Sequence, residues 1–266
     1  MIDLVVAGAA GRMGGRIIAL ARESADLRVV AALERPGHSA LGLDAGALAG
    51  AGALGVPIGA EVGLAITRDR VLVEFTAPEA TVEHLRVAAA QGARAVVGTT
   101  GLSAAQVEEI RQLARRTAIL FSPNMSVGVN LAFRVLALMA RALGDEYDVE
   151  ITEIHHRMKK DAPSGTAAKM AEVIAEALGR DLGAVGVYGR HGMVGERGPK
   201  EIGVHALRGG DVIGEHTAVF STLGERIELT HRAHSRDTFV RGALRAVRFI
   251  AAAAPGLYSM HDVIAP

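Results

Sequence analysis

The sequence predicts an α/β protein with two parts: a doubly wound parallel sheet, and a smaller α/β domain built on an antiparallel or mixed sheet. In the first part, short apolar runs alternate with helix-like segments, as in parallel sheets covered by helices on both faces. The runs span 2–7, 28–33, 71–76, 95–98 and 118–121, and the helix-like segments span 12–22, 78–91 and 103–116. In the second part, apolar and polar residues alternate in 201–207, 216–222 and 225–231, which indicates strands with one solvated face.

The first strand leads through glycines into the first helix. Gly8, Gly11 and Gly14 form a GxxGxxG pattern directly after the run 2–7. Glycines there let the backbone approach a pyrophosphate, and the helix that follows directs its N–H groups at the anion. The same spacing also serves an ordinary strand-to-helix turn, so the glycines alone are weak evidence.

The end of the second predicted strand strengthens the dinucleotide interpretation. Glu34 lies 20 residues beyond Gly14, where Rossmann-type proteins place an acid that accepts hydrogen bonds from the adenosine ribose. Arg35 follows and can attract the 2′-phosphate of NADP. Having both side chains predicts that NADH and NADPH are both accepted. The alternative for Glu34 is a solvated carboxylate at a strand end.

Two later strand ends extend this site. The loops 98–101 (GTTG) and 122–125 (SPNM) follow the fourth and fifth predicted strands. Ligands of open parallel sheets bind at the carboxyl ends of strands, so these loops are expected to face the nicotinamide half. They could also be plain turns whose Thr, Ser and Asn cap helices. The intervening stretch 36–60 is rich in Gly, Ala and Pro and is expected to be a loop with a short helix.

The last helical pattern, 237–253, could return to the first sheet. The chain has 266 residues, more than one typical domain. We therefore expect a discontinuous dinucleotide-binding domain of 1–126 with 236–266. Residues 127–235 are then expected to form a second domain.

Composition removes several classes of function. The 29 basic and 29 acidic side chains cancel, which argues against non-specific binding of nucleic acid. No cysteine is present, which excludes disulfides, thiolate metal sites and a cysteine nucleophile. The N-terminus lacks a basic leader pattern and no stretch reaches about 18 uninterrupted apolar residues. We expect a cytoplasmic protein that does not bind a membrane.

The strongest local signal is the segment 153–167, EIHHRMKKDAPSGTA. Across 153–169 there are four basic and two acidic side chains, a net charge of +2 before either histidine is protonated. Ser164, Gly165 and Thr166 then precede a helical run, whose first N–H groups can bind a carboxylate. A solvated loop, ordinary polar histidines or a plain helix cap would each explain one part of this segment. Their coincidence favours an anion site, because like charges repel unless an anion is bound.

Two other chemistries fail on their motifs. Tyr-x-x-x-Lys, which a short-chain dehydrogenase needs, is missing, since the residues four positions after the three tyrosines are Ile151, Gly192 and Asp262. There is no HExxH, and the histidine pair at 155–156 has no partner with ligand spacing. We expect no metal.

Over essentially its full length the sequence resembles the dihydrodipicolinate reductase (4-hydroxy-tetrahydrodipicolinate reductase) family. The segment 153–167 is similar to the family's HH-x-x-K-x-DAPSGTA signature. Four further matches support it in order: VAGAAGRMG at 6–14, VVGTTG at 96–101, SPNMSVGVN at 122–130 and LTHRAHSRDTF at 229–239.

The resemblance implies NAD(P)H-dependent reduction of 4-hydroxy-tetrahydrodipicolinate to tetrahydrodipicolinate, in the diaminopimelate route of L-lysine biosynthesis. It also implies that residues 127–235 form a domain for substrate binding and oligomerisation, through whose sheets a homotetramer assembles. The implied cofactor contacts are Gly8, Ala9, Ala10, Gly11, Arg12, Met13, Glu34, Arg35, Gly98, Thr99, Thr100, Ser122, Pro123, Asn124 and Met125.

The resemblance also implies roles at the substrate end. The substrate is a small dicarboxylate, and its carboxylates are expected at His156, Gly165 and Thr166. His155 is expected to donate or accept a proton, and Lys159 to donate one. The alternatives are another Rossmann dehydrogenase of a small carboxylate substrate, or a non-catalytic NAD(P)-binding redox sensor. The presence of His155 and Lys159 argues against the sensor.

Overall fold

The computed structural model describes residues 1–264. Its contacts divide the chain into two compact units. The first unit contains Met1–Val127 together with the residues from Asp237 onward, and the second contains Gly128–Arg236.

The first unit is a seven-stranded parallel sheet with helices. Its strands are β1 (Ile2–Ala7), β2 (Leu27–Leu33), β3 (Ile58–Gly59), β4 (Arg70–Glu74), β5 (Arg94–Val97), β6 (Ala118–Phe121) and β12 (Gly256–Tyr258). They lie in the order β12-β6-β5-β4-β1-β2-β3. Its helices are α1 (Arg12–Arg22), α2 (Ala45–Leu48), α3 (Val62–Ala65), α4 (Pro78–Gln91), α5 (Ala104–Leu113), α9 (Asp237–Ile250) and α10 (Met260–Ile264).

Both faces of this sheet are buried, which explains the continuous apolar runs. Successive side chains of a strand point to opposite faces. In β1, Leu4 and Val6 pack into the core beneath α1 and α9, whereas Val5 and Ala7 pack into the core on the opposite face. The predicted doubly wound parallel sheet is confirmed.

The structure corrects several predicted boundaries in this unit. The third predicted strand, which is β4 in the structure, ends at Glu74 rather than at 76 because its pairing with β5 ends there, so Phe75 and Thr76 belong to the following loop. The last long helix ends at Ile250 rather than at 253. The short strands β3 and β12 were not predicted, since two or three residues show no periodicity.

The second unit holds a five-stranded mixed sheet. Its elements are α6 (Val127–Leu143, whose first residue belongs to the first unit), β7 (Asp148–His155), α7 (Gly165–Ala177), α8 (Leu182–Val185), β8 (Gly186–Val187), β9 (Ile202–Arg208), β10 (Gly214–Thr222) and β11 (Glu225–Ala233). The order is β11-β10-β7-β9-β8. The strand β10 runs antiparallel to β7 and β11, and β9 runs parallel to β7 and β8. The predicted mixed sheet is confirmed.

One face of this sheet forms the core of the unit. Val149 and Ile151 of β7 and Phe220 of β10 pack with buried residues of α6 and α7 such as Leu136 and Met170. The alternate residues of β7 and β10 are half-buried or exposed.

By length and composition, the helical stretch 127–146 is apolar enough to cross a membrane. A third of its most apolar window is buried, and Phe133, Leu136 and Ala140 belong to the core of the second unit. Core helices pass the same test, so this is weak evidence for a membrane span.

Candidate active site

The turn between β1 and α1 has the geometry of an anion cradle. Gly8 has a φ of +72°, and a Cβ there would lie 2.7 Å from the carbonyl oxygen of Phe75. A Cβ at Gly14 would lie 2.1 Å from the carbonyl oxygen of Gly8. Only glycine allows the turn and the first turn of α1 to approach so closely. Gly11, the N-cap of α1, provides no side-chain cap, and the first turn carries no acid, so its N–H groups suit an anion.

The carboxylate of Glu34 reaches this turn. Its Oε1 accepts a hydrogen bond of 3.0 Å from the backbone N–H of Ala10, and its Oε2 accepts one of 3.3 Å from that of Arg35. The acid that sequence spacing selected therefore lies beside the glycine turn, and the Arg35 side chain next to it is exposed.

A cavity of about 410 Å³ opens at the carboxyl ends of the parallel strands. It brings together eight of the predicted cofactor residues: Arg12, Met13, Gly98, Thr99, Thr100, Pro123, Asn124 and Met125. The predicted residues Gly8–Gly11, Glu34, Arg35 and Ser122 do not line it. Ser122 is buried, and its hydroxyl donates to the carbonyl of Asn124 at 2.8 Å.

The cavity wall contains three residues that sequence analysis missed: Phe75, Thr76 and Phe239. The first two follow β4, so the strand-end rule applied to the correct strand boundary would have found them. Phe239 comes from α9, far along the chain, and in the sequence it stands out only as the last residue of the family match at 229–239. A Cβ at Gly98 would lie 2.1 Å from the Phe75 ring, so this glycine makes room for the ring.

A buried polar network supports Thr99. Its hydroxyl accepts hydrogen bonds from the Thr76 backbone N–H at 3.2 Å and from the Thr81 hydroxyl at 2.8 Å. Glu74, fully buried, accepts a hydrogen bond from the Thr76 hydroxyl and lies 2.7 Å from Nδ1 of His84. Burial lowers the pKa of His84, but the hydrogen bond and charge of Glu74 outweigh it, and the pKa is raised. Glu74 could have been selected from the sequence, because it is an acidic residue at the end of an otherwise apolar strand.

In the second unit, a buried carboxylate holds the first histidine of the signature segment. Glu153 and His155 lie two residues apart on β7, so they share one face of the sheet. Oε2 of Glu153 lies 2.6 Å from Nδ1 of His155. Nη1 and Nη2 of Arg208 donate to the same carboxylate at 2.8 and 3.0 Å, and the Ser164 backbone N–H donates to it at 2.9 Å.

These donors outweigh the cost of burying Glu153. Burial raises the pKa of this carboxyl, but the hydrogen bonds from Arg208, His155 and Ser164 lower it by more, so the net shift of the pKa is downward. In the sequence, Glu153 stands out only as a negative charge, and no motif selects Arg208. Neither can be assigned to the site without the strand register.

A second histidine, His216, packs against His155. The two rings meet edge to face with centroids 5.2 Å apart, and Nε2 of His216 lies 2.9 Å from the Ser164 hydroxyl. Burial, followed by repulsion from His155, lowers the pKa of His216 to about 4. His216 was not among the predicted site residues, although its place on the apolar face of β10, in line with Ala218 and Phe220, could have indicated it.

Lys159 lies on the loop after β7. Its Nζ is 2.8 and 2.9 Å from the carboxylate oxygens of Asp161, and this contact lowers the pKa of Asp161. Arg208 donates at 2.7 Å to the backbone carbonyl of Asp161, and the His156 N–H donates at 2.7 Å to the carbonyl of Val212. The lysine is therefore held on a loop fastened to β9 and to the segment before β10.

The helix α7 begins beside this network. Ser164 is its N-cap, with its hydroxyl accepting from the Ala167 N–H at 3.2 Å, and no acid lies in the first turn. Gly165 is exposed, and a Cβ there would meet nothing within 4 Å. His156, Gly165 and Thr166 thus lie near the Glu153–His155 pair in the fold, and their binding role stays a prediction. Among residues 1–264, no group of three or more His, Cys, Asp or Glu side chains is arranged to hold a metal ion.

Comparison with known proteins gives one consistent result. Residues 2–125 match the family model of the dihydrodipicolinate reductase N-terminus, and residues 128–264 match that of its C-terminus. The chain is 49% identical over 264 residues to the 4-hydroxy-tetrahydrodipicolinate reductase of Syntrophus aciditrophicus (strain SB), covering 99% of this chain and 98% of that one. It is 50% identical over 264 residues to the enzyme of the same name from Geobacter sulfurreducens, covering 99% of both chains.

Solved structures share the fold. A dipicolinate-bound dihydrodipicolinate reductase from Paenisporosarcina sp. TG-14 superposes with a TM-score of 0.78 at 24% identity, covering 100% of both chains. GenD2 from gentamicin A biosynthesis, solved in complex with NAD, superposes with a TM-score of 0.63 at 13% identity, covering 98% of this chain and 90% of that one.

Proposed function

The chain belongs to the dihydrodipicolinate reductase family, and from this we infer that it reduces 4-hydroxy-tetrahydrodipicolinate to tetrahydrodipicolinate with NADH or NADPH. This reaction lies on the diaminopimelate route to L-lysine. The observation that carries the inference is the near-complete coverage of the chain by relatives of that name at about half identity. A parallel sheet with a dinucleotide cradle suits such a reductase.

We propose that the first unit binds the dinucleotide and the second binds the substrate, with the domains 1–126 plus 236–266 and 127–235. The turn at Gly8–Gly14 suits a pyrophosphate, because glycine at Gly8 and Gly14 lets the turn pack closely against its neighbours and the uncapped start of α1 offers its N–H groups to an anion. Glu34 would accept hydrogen bonds from ribose hydroxyls, and Arg35 would approach a 2′-phosphate. The loops at 98–100 and 122–125 would face the nicotinamide, which supplies the hydride when bound.

At the substrate end, Lys159 is proposed to stabilise and protonate the negative charge that develops as the ring is reduced. Its present partner, Asp161, has a side chain that is 65% exposed. The Lys159 side chain is 19% exposed, but the solvated carboxylate keeps the pair weak, on the order of 1 kcal/mol, so a substrate anion could replace it. His155 is proposed to donate or accept a proton, and His156, Gly165 and Thr166 to bind the substrate carboxylates.

We propose further that the protein is cytoplasmic and forms a homotetramer through the second unit. In support, Ile154, Leu207 and Val219 lie on the face of the mixed sheet opposite the core of that unit, and Leu207 is 49% exposed. Sedimentation of the wild-type protein and of Val219→Glu tests the assembly. The wild-type protein is expected to sediment with four times the mass of one chain, and Val219→Glu with a lower mass. A wild-type protein that sediments as a monomer would contradict the proposal.

The reaction is tested by following nicotinamide absorbance while the protein is supplied with the freshly made product of dihydrodipicolinate synthase. Oxidation of NADH and of NADPH is expected only when that product is present. A folded protein that binds either cofactor but oxidises neither would contradict the proposed reaction. Oxidation with an unrelated amino acid or semialdehyde instead would point to another Rossmann dehydrogenase.

A further inference from the structure

Glu153 is a carboxylate buried on the inward face of β7, next to apolar core positions. The residue is 1% exposed on a strand whose neighbouring inward positions, Val149 and Ile151, are fully buried and apolar. An ionised side chain there is costly unless hydrogen bonds compensate it. Four hydrogen bonds meet its two oxygens: two from Arg208, one from the Ser164 backbone and one shared with Nδ1 of His155.

The other partners of Glu153 determine which atom donates in its hydrogen bond with His155. Backbone and guanidinium N–H groups can only donate, and an ionised carboxylate can only accept. The two oxygens of Glu153 are thus acceptors toward Arg208 and Ser164, and Nδ1 of His155 can join them at 2.6 Å only by donating its own proton. A neutral His155 then carries its proton on Nδ1 and leaves the lone pair on Nε2.

We propose that Glu153, clamped by Arg208, is the positioning residue that holds His155 in the Nδ1–H tautomer and makes Nε2 the nitrogen that exchanges a proton with the substrate. The exchange itself rests on the proposed function, whereas the tautomer rests on the contacts alone. No sequence motif predicts the contact between Glu153 and Arg208. It depends on the register of β7 and β9, which places Arg208 beside His155.

The surroundings of Nε2 agree with this assignment. A Cβ at Gly214 would lie 2.8 Å from Nε2, which is closer than van der Waals contact allows. Glycine at the start of β10 therefore keeps the Nε2 edge of the ring from being covered by a side chain. The Nδ1 edge, in contrast, is occupied by Glu153.

Arg208 gives the clamp a second function. Besides holding Glu153 it donates at 2.7 Å to the backbone carbonyl of Asp161, on the loop that carries Lys159. One guanidinium thus ties the orientation of His155 to the position of that loop. The other charged or titratable neighbours are His216 on β10 and the Lys159–Asp161 pair.

The direct test is the tautomer of His155, measured on the whole protein with ¹⁵N-labelled histidine. Two-bond ¹H–¹⁵N correlation spectra distinguish Nδ1–H from Nε2–H imidazole. A pH series is carried to the point where His155 is neutral, and its signals are identified by their loss in His155→Gln. The Nδ1–H pattern is expected. An Nε2–H pattern overturns the proposal. No substrate is needed, so the result is independent of whether the proposed reaction is right.

Kinetics test the consequence for proton exchange. Glu153→Gln keeps the shape but places an amide N–H₂ among donors, and kcat is expected to fall about 10- to 100-fold, as when the hydrogen-bond partner that orients a metal-ligating histidine is lost. The affinity for NADH should stay unchanged. The matched control is Glu172→Gln, an exposed acid on α7 paired with Lys169, which should keep the wild-type kcat. A folded Glu153→Gln protein with the kcat of this control overturns the positioning role.

Discussion

Acid is expected to lower the stability of the second unit, because the buried His216 resists protonation. The variant His216→Gln tests this by removing the titrating group. The ring is 4% exposed and its pKa is lowered to about 4 by burial and by repulsion from His155. Glutamine keeps a side-chain N–H that can donate to the Ser164 hydroxyl, as Nε2 can now. The substitution therefore separates protonation from the loss of a hydrogen bond.

The size of the effect follows from the difference between the folded and unfolded pKa values. The fold favours neutral His216, so the unfolded chain takes up the proton first as pH falls below 6.5, the ordinary value. Stability is lost from there down to a pH of about 4 and is constant above and below that window. Each pKa unit corresponds to roughly 1.4 kcal/mol, so the loss reaches about 2 kcal/mol at about pH 5.

Urea unfolding followed by tyrosine fluorescence measures this loss. Two of the three tyrosines, Tyr147 and Tyr188, lie in the second unit, and Tyr258→Phe as a background removes the third. Between about pH 7.5 and about pH 5 the parent should lose about 2 kcal/mol more than His216→Gln. The exposed His191, changed to Gln, is the control and should behave as the parent. Equal acid sensitivity in the parent and His216→Gln would refute the reasoning.

Three further perturbations concern the first unit. Arg35→Ala should weaken NADPH binding by roughly 1–3 kcal/mol and leave NADH unchanged in fluorescence titrations, because only NADPH offers a phosphate; equal losses would contradict that role. Gly98→Ala places a Cβ 2.1 Å from the Phe75 ring, so NADH affinity should fall about tenfold or more as the ring is displaced into the cavity, and unchanged affinity would remove the cavity from the cofactor site. His84 has a raised pKa through Glu74, so its contribution is complete below about pH 6.5 and is lost as pH rises through the raised value; in unfolding experiments His84→Gln should lack this loss, and a variant that keeps it would show another group to be responsible.

The sequence predicted the long elements and the strand-end loops because these follow from local patterns. The run 2–7 and the segments 12–22 and 78–91 coincide with β1, α1 and α4. Their apolar side chains recur at the period of the element they form. The glycine turn was recognisable for a similar reason, since its residues are within seven positions of one another.

The support of the candidate site could not be predicted, because it is assembled across strands. Glu153, Arg208 and His216 come from β7, β9 and β10, and only the register brings them together. Register depends on how a whole face is buried, which a single strand pattern does not reveal. Phe239 reaches the cavity for the same non-local reason. The segment 153–167, in contrast, could be recognised from the sequence, because its charges and its helix cap lie within one stretch.

The central claim is that Lys159 acts on the substrate as it is reduced, and its alanine variant tests this most directly. The neighbouring Lys160 is exposed, so Lys160→Ala is a matched control for loss of one charge from the same loop. Lys159→Ala should lower kcat by about 10²–10⁴-fold with NADH affinity intact, whereas Lys160→Ala should stay within about threefold of wild type. A folded Lys159→Ala protein that binds NADH and turns over as fast as Lys160→Ala would contradict the account.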